Sequence, residues 1–101
     1  MSSAGSDPRE ELVRLLGLTS RGDQRAFAEL YQRTSSKLFG ICLRRLGDRG
    51  AAEDVLQEIY TTVWRRAASF DAAKAAAMTW LVALSRNKAI DRLRQHREEQ
   101  L

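Results

Sequence analysis

The chain has little of what catalytic and secreted domains are usually built on. Among its 101 residues there is one cysteine, Cys42, one histidine, His96, and one proline, Pro8. A lone cysteine cannot close an internal disulfide, and a lone histidine cannot assemble a structural zinc site. The sequence holds no glycine-rich phosphate loop and no nucleophile beside a base, so hydrolase and metalloenzyme readings find no residues to rest on. No apolar run approaches the roughly 20 residues that cross a bilayer, and the polar, acidic opening MSSAGSDPREE does not read as a signal peptide. The expectation is a cytoplasmic chain that needs no cofactor, does not insert in membranes and is not an enzyme.

Apolar residues make up 44% of the chain and charged residues 30%, the balance of a globular domain rather than a disordered one. The length allows one domain with one small core. With a single proline and six glycines to interrupt it, and no alternation of the strand period, the chain reads as all-α: a small bundle of four helices, one short and three longer.

Charge is distributed unevenly. In TWLVALSRNKAIDRLRQHR, residues 79–97, five cations (Arg86, Lys88, Arg92, Arg94, Arg97) face one acid, Asp91, so this stretch alone carries a surplus equal to the formal +4 of the whole chain. Its first turns, with Met78, Trp80, Leu81, Val82 and Leu84, are apolar nearly all round. Its basic residues then scatter round the helix rather than forming one stripe, which suits a phosphate backbone better than a single base-reading face.

Punctuation divides the chain. Asp7-Pro8 with Glu10 is a cap, a first-turn proline and a first-turn carboxylate, opening a helix from about residue 8 to about 20 that aligns Leu12, Leu15 and Leu16. Residues 1–7 precede it as a disordered tail. Gly22-Asp23 stops that helix and caps the next, in which Phe27, Leu30, Tyr31, Leu38, Ile41 and Cys42 fall in one broad arc; Phe27, Tyr31 and Cys42 are expected in the core. Gly47-Asp48 and Gly50 mark the following break. The third helix, AAEDVLQEIYTTVWRRAA, points Ala52, Val55, Leu56, Ile59 and Val63 one way and Asp54, Gln57, Glu58, Thr61 and Arg65 the other, with Tyr60 and Trp64 at the boundary. An exposed Trp beside acids and an amide is the composition of a recognition surface, although an ordinary solvated face would show the same charges. Asp71 is positioned to cap the last helix, which starts between residues 72 and 78 and ends near 97; residues 98–101 read as the start of a linker.

In this order GDQRAFAELY, LGD, AEDVLQEIY, VWRRAASFD, TWL and RNKAIDRLR resemble the second domain (region 2) of bacterial RNA polymerase sigma factors of the extracytoplasmic-function group, over about residues 10–97. The resemblance implies a domain that binds core RNA polymerase and recognises and melts the promoter minus-ten element. On it, Asp54, Gln57, Glu58, Thr61 and Trp64 would dock on the coiled coil of the polymerase β′ subunit. The loop Ser69 to Met78 would take a flipped base of the non-template single strand. Ser69, Phe70, Lys74, Arg86, Asn87, Lys88, Arg92 and Arg94 would contact DNA, Asn87 by reading a base edge and the cations by holding phosphates. Asp91 would orient arginines. Trp80 reads as core before it reads as a stacking platform, and Phe70 as a loop anchor first. The family also implies an anti-sigma factor as a partner. The sequence departs from the pattern in FDAAKAAAM, which lacks the proline and Gly-Ser turn usual in this loop and leaves a partly helical loop open. Two further readings compete: a small helical regulator that binds duplex DNA with its last helix in a major groove, and a helical adaptor that binds only protein.

Overall fold

The computed structural model describes residues 7–100, and the starts of its first three helices each have a local cause. Helix α1 spans Pro8–Ser20; the Asp7 carboxylate accepts from the Arg9 backbone N–H at 2.9 Å, and Pro8 fills the first turn. Leu12, Leu15, Leu16 and Thr19, spaced three and four apart, form its buried stripe. The tail expected over residues 1–7 lies, apart from Asp7, outside the described residues.

Helix α2 spans Gln24–Leu46, capped by Asp23, whose carboxylate accepts from Ala26 N–H at 3.0 Å. It ends at Gly47, held at φ 68, whose N–H donates to the Leu43 carbonyl at 2.8 Å; a residue with a Cβ is strained in that left-handed conformation. The next residue, Asp48, already caps helix α3 (Arg49–Arg66) through Ala51 N–H at 2.8 Å. The α2–α3 reversal is therefore made by one glycine and one capping carboxylate. A short 3-10 turn, Ala67–Ser69, follows α3, and helix α4 spans Ala77–Glu99. Among the described residues there is no strand, and the all-α four-helix bundle read from the sequence is what the chain forms.

Helix α2 is central, packing against α1, α3 and α4. Its buried side chains recur every fourth residue: Ala26, Leu30, Thr34, Leu38 and Cys42. Against them lie Val55, Ile59 and Val63 of α3 and Leu81 of α4, all fully buried. Helix α4 fully buries only Ala77, Leu81, Ser85 and Ala89, small residues apart from Leu81, while Met78, Trp80, Val82 and Leu84 pack half-buried against the core. The antiparallel course of α4 against α3 brings residue 92 opposite residues 54 and 58.

Three expectations need correction, while Trp80, read as core, does pack against the core as a half-buried ring. Tyr31 is 43% exposed rather than core, because the buried stripe of α2 runs through Leu30 and Thr34 and leaves Tyr31 on its flank; Phe27 is half-buried beside it. Tyr60 is buried rather than at the boundary, because its hydroxyl meets the buried Thr34 hydroxyl, which itself donates to the Leu30 carbonyl at 2.7 Å. The Trp80 ring is tilted against Phe70 with centroids 5.6 Å apart. Asp71 does not cap α4. Its side chain accepts from Ala73 N–H at 2.9 Å and its carbonyl from Lys74 N–H at 3.0 Å, so it organises a turn inside residues 70–76. That turn outweighs the helix propensity of the alanines, and α4 begins at Ala77 with no side-chain cap. It also runs two residues beyond the expected end at 97.

Candidate functional site

Two faces of the bundle collect the residues singled out above. On α3, Asp54, Gln57, Glu58 and Thr61 all point outward and are exposed. The Thr61 hydroxyl donates to the Gln57 carbonyl at 3.0 Å, and that of Thr62 to the Glu58 carbonyl at 2.9 Å, so neither competes for the acids. Beside this face runs a groove of about 500 Å3 lined by Phe27 and Tyr31 from α2 and by Gln57, Tyr60, Thr61 and Trp64 from α3, with Arg65 at its end. Its aromatic wall is continuous. The Phe27 ring stands edge-on to Trp64 at 5.1 Å and to Tyr60 at 6.3 Å, and Tyr31 lies 4.7 Å from Tyr60. Trp64 is 38% exposed, so one part of the indole is held by Phe27 and another is offered to solvent. Phe27 and Tyr31, taken from sequence as core, are the members of this groove that sequence reasoning missed. Their signal was present: they sit one turn apart on the edge of the apolar arc, where an aromatic is half wet.

The second face is the loop and α4. Ser69 closes the 3-10 turn by donating to the Arg66 carbonyl at 2.7 Å. Phe70 is half-buried on Trp80, while Lys74 is exposed at the tip of the Asp71 turn. This loop is a turn anchored by one aromatic pair. Along α4, Arg86, Asn87 and Arg94 are exposed and Lys88 is half-buried. Arg94 stands 4.0 Å from Asp91, both side chains well exposed, a spacing at which the acid biases the arginine only weakly.

Arg92 belongs to both faces. Its guanidinium donates to Glu58 at 3.0 Å and stands 4.0 Å from Asp54, with 28% of its side chain exposed. A cation assigned to phosphates by sequence is thus held by two acids assigned to a protein partner. Helical period within either element does not reveal this, because the contact joins residues 34 apart in the chain. His96 follows on the same side of α4, its Nε2 3.2 Å from the side-chain amide nitrogen of Gln100.

Burial and pairing move several titrations. Burial pushes the Tyr60 phenol up to about 12, against a smaller opposing effect of its Thr34 hydrogen bond. Burial likewise raises the Cys42 thiol, which sits in the core as a neutral small hydrophobe. The hydrogen bond from Arg14 lowers Glu11 on the surface of α1. Among the described residues no cluster of His, Cys, Asp and Glu is arranged to hold a metal, and no helix is long and apolar enough to cross a membrane.

The Sigma-70 region 2 family matches this chain over residues 30–99, the segment that holds both the acidic face of α3 and the basic helix α4 with its loop. The chain belongs to that family. Over 84 residues it is 44% identical to the ECF RNA polymerase sigma factor SigK of Mycobacterium tuberculosis (strain ATCC 25618 / H37Rv), a match covering 83% of this chain and 45% of that protein. It is 39% identical over 85 residues to the SigK of Mycobacterium ulcerans (strain Agy99), covering 84% of this chain and 46% of that one. The chain thus spans a little under half the length of these curated relatives. Among solved structures, the NMR structure of an engineered region 2 of sigmaE in complex with GTAAAA superposes with a TM-score of 0.79 and 29% identity, covering 100% of both chains. In this region 2 domain the matched segment starts at Leu30 and contains α3, the loop and all of α4.

Proposed function

We propose that this region 2 domain docks on core RNA polymerase through the outer face of α3 and captures the non-template strand of a promoter minus-ten element with its loop and α4, so promoting strand opening and transcription initiation. The observation that carries this reading is the similarity, over the full chain, to an engineered region 2 of sigmaE that is bound to GTAAAA. The name of the SigK relatives, RNA polymerase sigma factors, supplies the polymerase partner.

The geometry supports a division of labour. Asp54, Gln57 and Glu58 offer acceptors and an amide on one helix face, suited to the arginines of a partner helix. The Trp64 groove beside them excludes water from the contact, as an aromatic anchor does at an interface. On the other face, Ser69, Phe70 and Lys74 surround the loop that would receive an extruded base, and Asn87 carries both a donor and an acceptor for a base edge. Arg86, Lys88, Arg92 and Arg94 supply phosphate contacts. Holding an unpaired base shifts the melting equilibrium without bond making or breaking, so the domain acts as a non-enzymatic, cytoplasmic specificity module. An anti-sigma factor that covers the α3 face would silence it.

The test is capture of core RNA polymerase by the parent and by an Asp54→Ala/Gln57→Ala/Glu58→Ala variant. Capture by the parent and its loss in the variant support the reading. Binding of duplex DNA with no capture of polymerase by either protein would sink it in favour of a groove-binding regulator.

A further inference from the structure

At the C-terminal end of α2, Arg44 and Arg45 come up against Arg86 of α4 around a depression of about 150 Å3 floored by Ile41. Three guanidinium groups on one depression repel one another unless an anion lies among them. Some arginines pair with an acid one turn away: Glu11 pairs with Arg14, Glu29 with Arg33 at 2.8 Å and Glu53 with Arg49 at 3.5 Å. Others, such as Arg21, Arg25, Arg65 and Arg66, make no ion pair among the described residues, and what sets Arg44, Arg45 and Arg86 apart is that all three line one depression. Here no carboxylate answers. Among the described residues Arg44, Arg45 and Arg86 make no ion pair. Asp48, the nearest acid in sequence to Arg44 and Arg45, is turned to Ala51 N–H as the cap of α3, and the weak ion contact of Asp91 is with Arg94, not Arg86. The favourable field at a helix C-terminus accounts for Arg44 and Arg45, which lie in the last turn of α2. It does not account for Arg86, nine residues into α4 and at neither end of it.

We propose that Arg44, Arg45 and Arg86 form a phosphate-binding site for the DNA duplex that flanks the melted element, adding α2 to the DNA path. The ligand class follows from the donors: three arginines line one recess, and the planar guanidinium fork matches phosphodiester oxygens without sequence preference. The assignment to duplex follows from position. Arg86 and Asn87 are successive residues on α4, so their side chains leave the helix about 100° apart. A single strand that runs from the loop along the Asn87 flank therefore leaves the Arg86 flank to a different segment of DNA. The proposal rests on the DNA reading given above and extends it to residues outside the loop and α4.

The experiment measures binding of this chain, by fluorescence anisotropy over a salt series, to a fork probe (duplex with a single-stranded overhang) and to the single strand alone. The parent is compared with Arg44→Gln/Arg45→Gln and with a charge-matched control, Arg21→Gln/Arg25→Gln. Of the control residues, Arg25 lies in the first turn of α2 and Arg21 caps the C-terminus of α1 just before it, so Arg25 is about 30 Å from Arg44 at 1.5 Å per residue, several screening lengths at physiological salt. The expected result is that the double variant loses roughly tenfold in fork affinity at low salt, and that its salt slope falls by one to two, about 0.9 per lost phosphate contact. The control and the single-strand binding stay at parent values. An unchanged fork slope in the double variant overturns the site, as does an equal loss on single strand, which would move the arginines to the unpaired path. Loss of polymerase capture with intact fork binding would make the cluster a protein contact and overturn it too. Failure of the parent to bind either probe, with or without core polymerase, brings down the DNA reading itself, an outcome separable from the others.

Discussion

Arg92 of α4 donates to Glu58 of α3 at 3.0 Å, so the basic helix and the acidic face of this domain are joined through a residue from each. Both side chains are assigned to external partners, and neither can serve its partner fully while serving the other. In the free domain Glu58 and Asp54 neutralise a cation that a phosphate would otherwise take. Glu58→Gln is therefore expected to act in opposite directions on the two activities: capture of core polymerase weakens, while binding of single-stranded DNA by the free domain tightens severalfold and its salt slope rises by about 0.7, one added single-strand phosphate. Arg92→Gln removes that gain when combined with it. Stability should barely move, since a partly exposed pair is worth about 1 kcal/mol or less. A salt series on the two single variants and the double reads all of this, and parallel losses of both activities in Glu58→Gln would refute the competition.

Two buried threonines make opposite predictions from similar positions. Thr34 donates to the Leu30 carbonyl, so its oxygen accepts from the Tyr60 hydroxyl; both side chains are shut off from water. Thr34→Val leaves the Tyr60 hydroxyl buried without an acceptor and is expected to cost about 1–3 kcal/mol. Thr19 is equally buried, but its hydroxyl has no hydrogen-bond partner among the described residues. Thr19→Val keeps the shape and removes the unpaired group, so it is expected to be neutral or stabilising. Urea midpoints for the two variants decide the matter; a loss of similar size at both sites would contradict the assignment.

The bundle was legible in the sequence because its punctuation is local. Asp7-Pro8, Gly22-Asp23 and Gly47-Asp48 each specify a cap or a stop from neighbouring residues, and α1 and α2 start and end, and α3 starts, where these dictate. Asp71 misled for an instructive reason: the same carboxylate that caps a helix also closes a turn two residues on, and here it closes the turn, next to Phe70 packed on Trp80. The acids and amide of the α3 face were readable because they occupy one side of a single helix. What sequence could not supply was anything that joins two helices: the Tyr60–Thr34 pair that draws a boundary tyrosine inward, the Phe27–Trp64 wall of the groove, the hold of Glu58 on Arg92, and the meeting of Arg44 and Arg45 with Arg86. Each depends on the relative rotation of packed helices, which no one-dimensional period encodes.

The raised Tyr60 phenol gives stability a dependence on alkaline pH. Below its ordinary value of 10, folded and unfolded chains both keep the proton. Between 10 and about 12 the unfolded chain releases it while the folded chain retains it, so unfolding is favoured and the contribution of Tyr60 disappears as pH rises through that window. Urea midpoints are expected to fall more steeply in the parent than in Tyr60→Phe once the pH passes 10. Parallel slopes in the two proteins would show that Tyr60 does not carry the effect.

Phe70 and Trp80 determine whether the loop is a preformed receptor or one shaped by its ligand. Their rings meet at 5.6 Å and 56°, and this contact anchors residues 70–76 against the start of α4. Phe70→Ala removes the anchor, so backbone amides of the loop are expected to exchange faster, while those of α2 and α3 keep their protection. Affinity for single-stranded DNA should drop by roughly tenfold, since a loop that must be ordered on binding loses part of its interaction energy to that ordering. Capture of core polymerase, proposed for the α3 face, is expected to hold. The decisive comparison is Phe70→Leu, which restores apolar packing against Trp80 but offers no ring. Recovery of both slow exchange and affinity in Phe70→Leu identifies Phe70 as an anchor. Recovery of slow exchange without affinity would mean instead that the ring itself stacks on a captured base, and Phe70 would then have to be moved from the support of the loop to its contact surface.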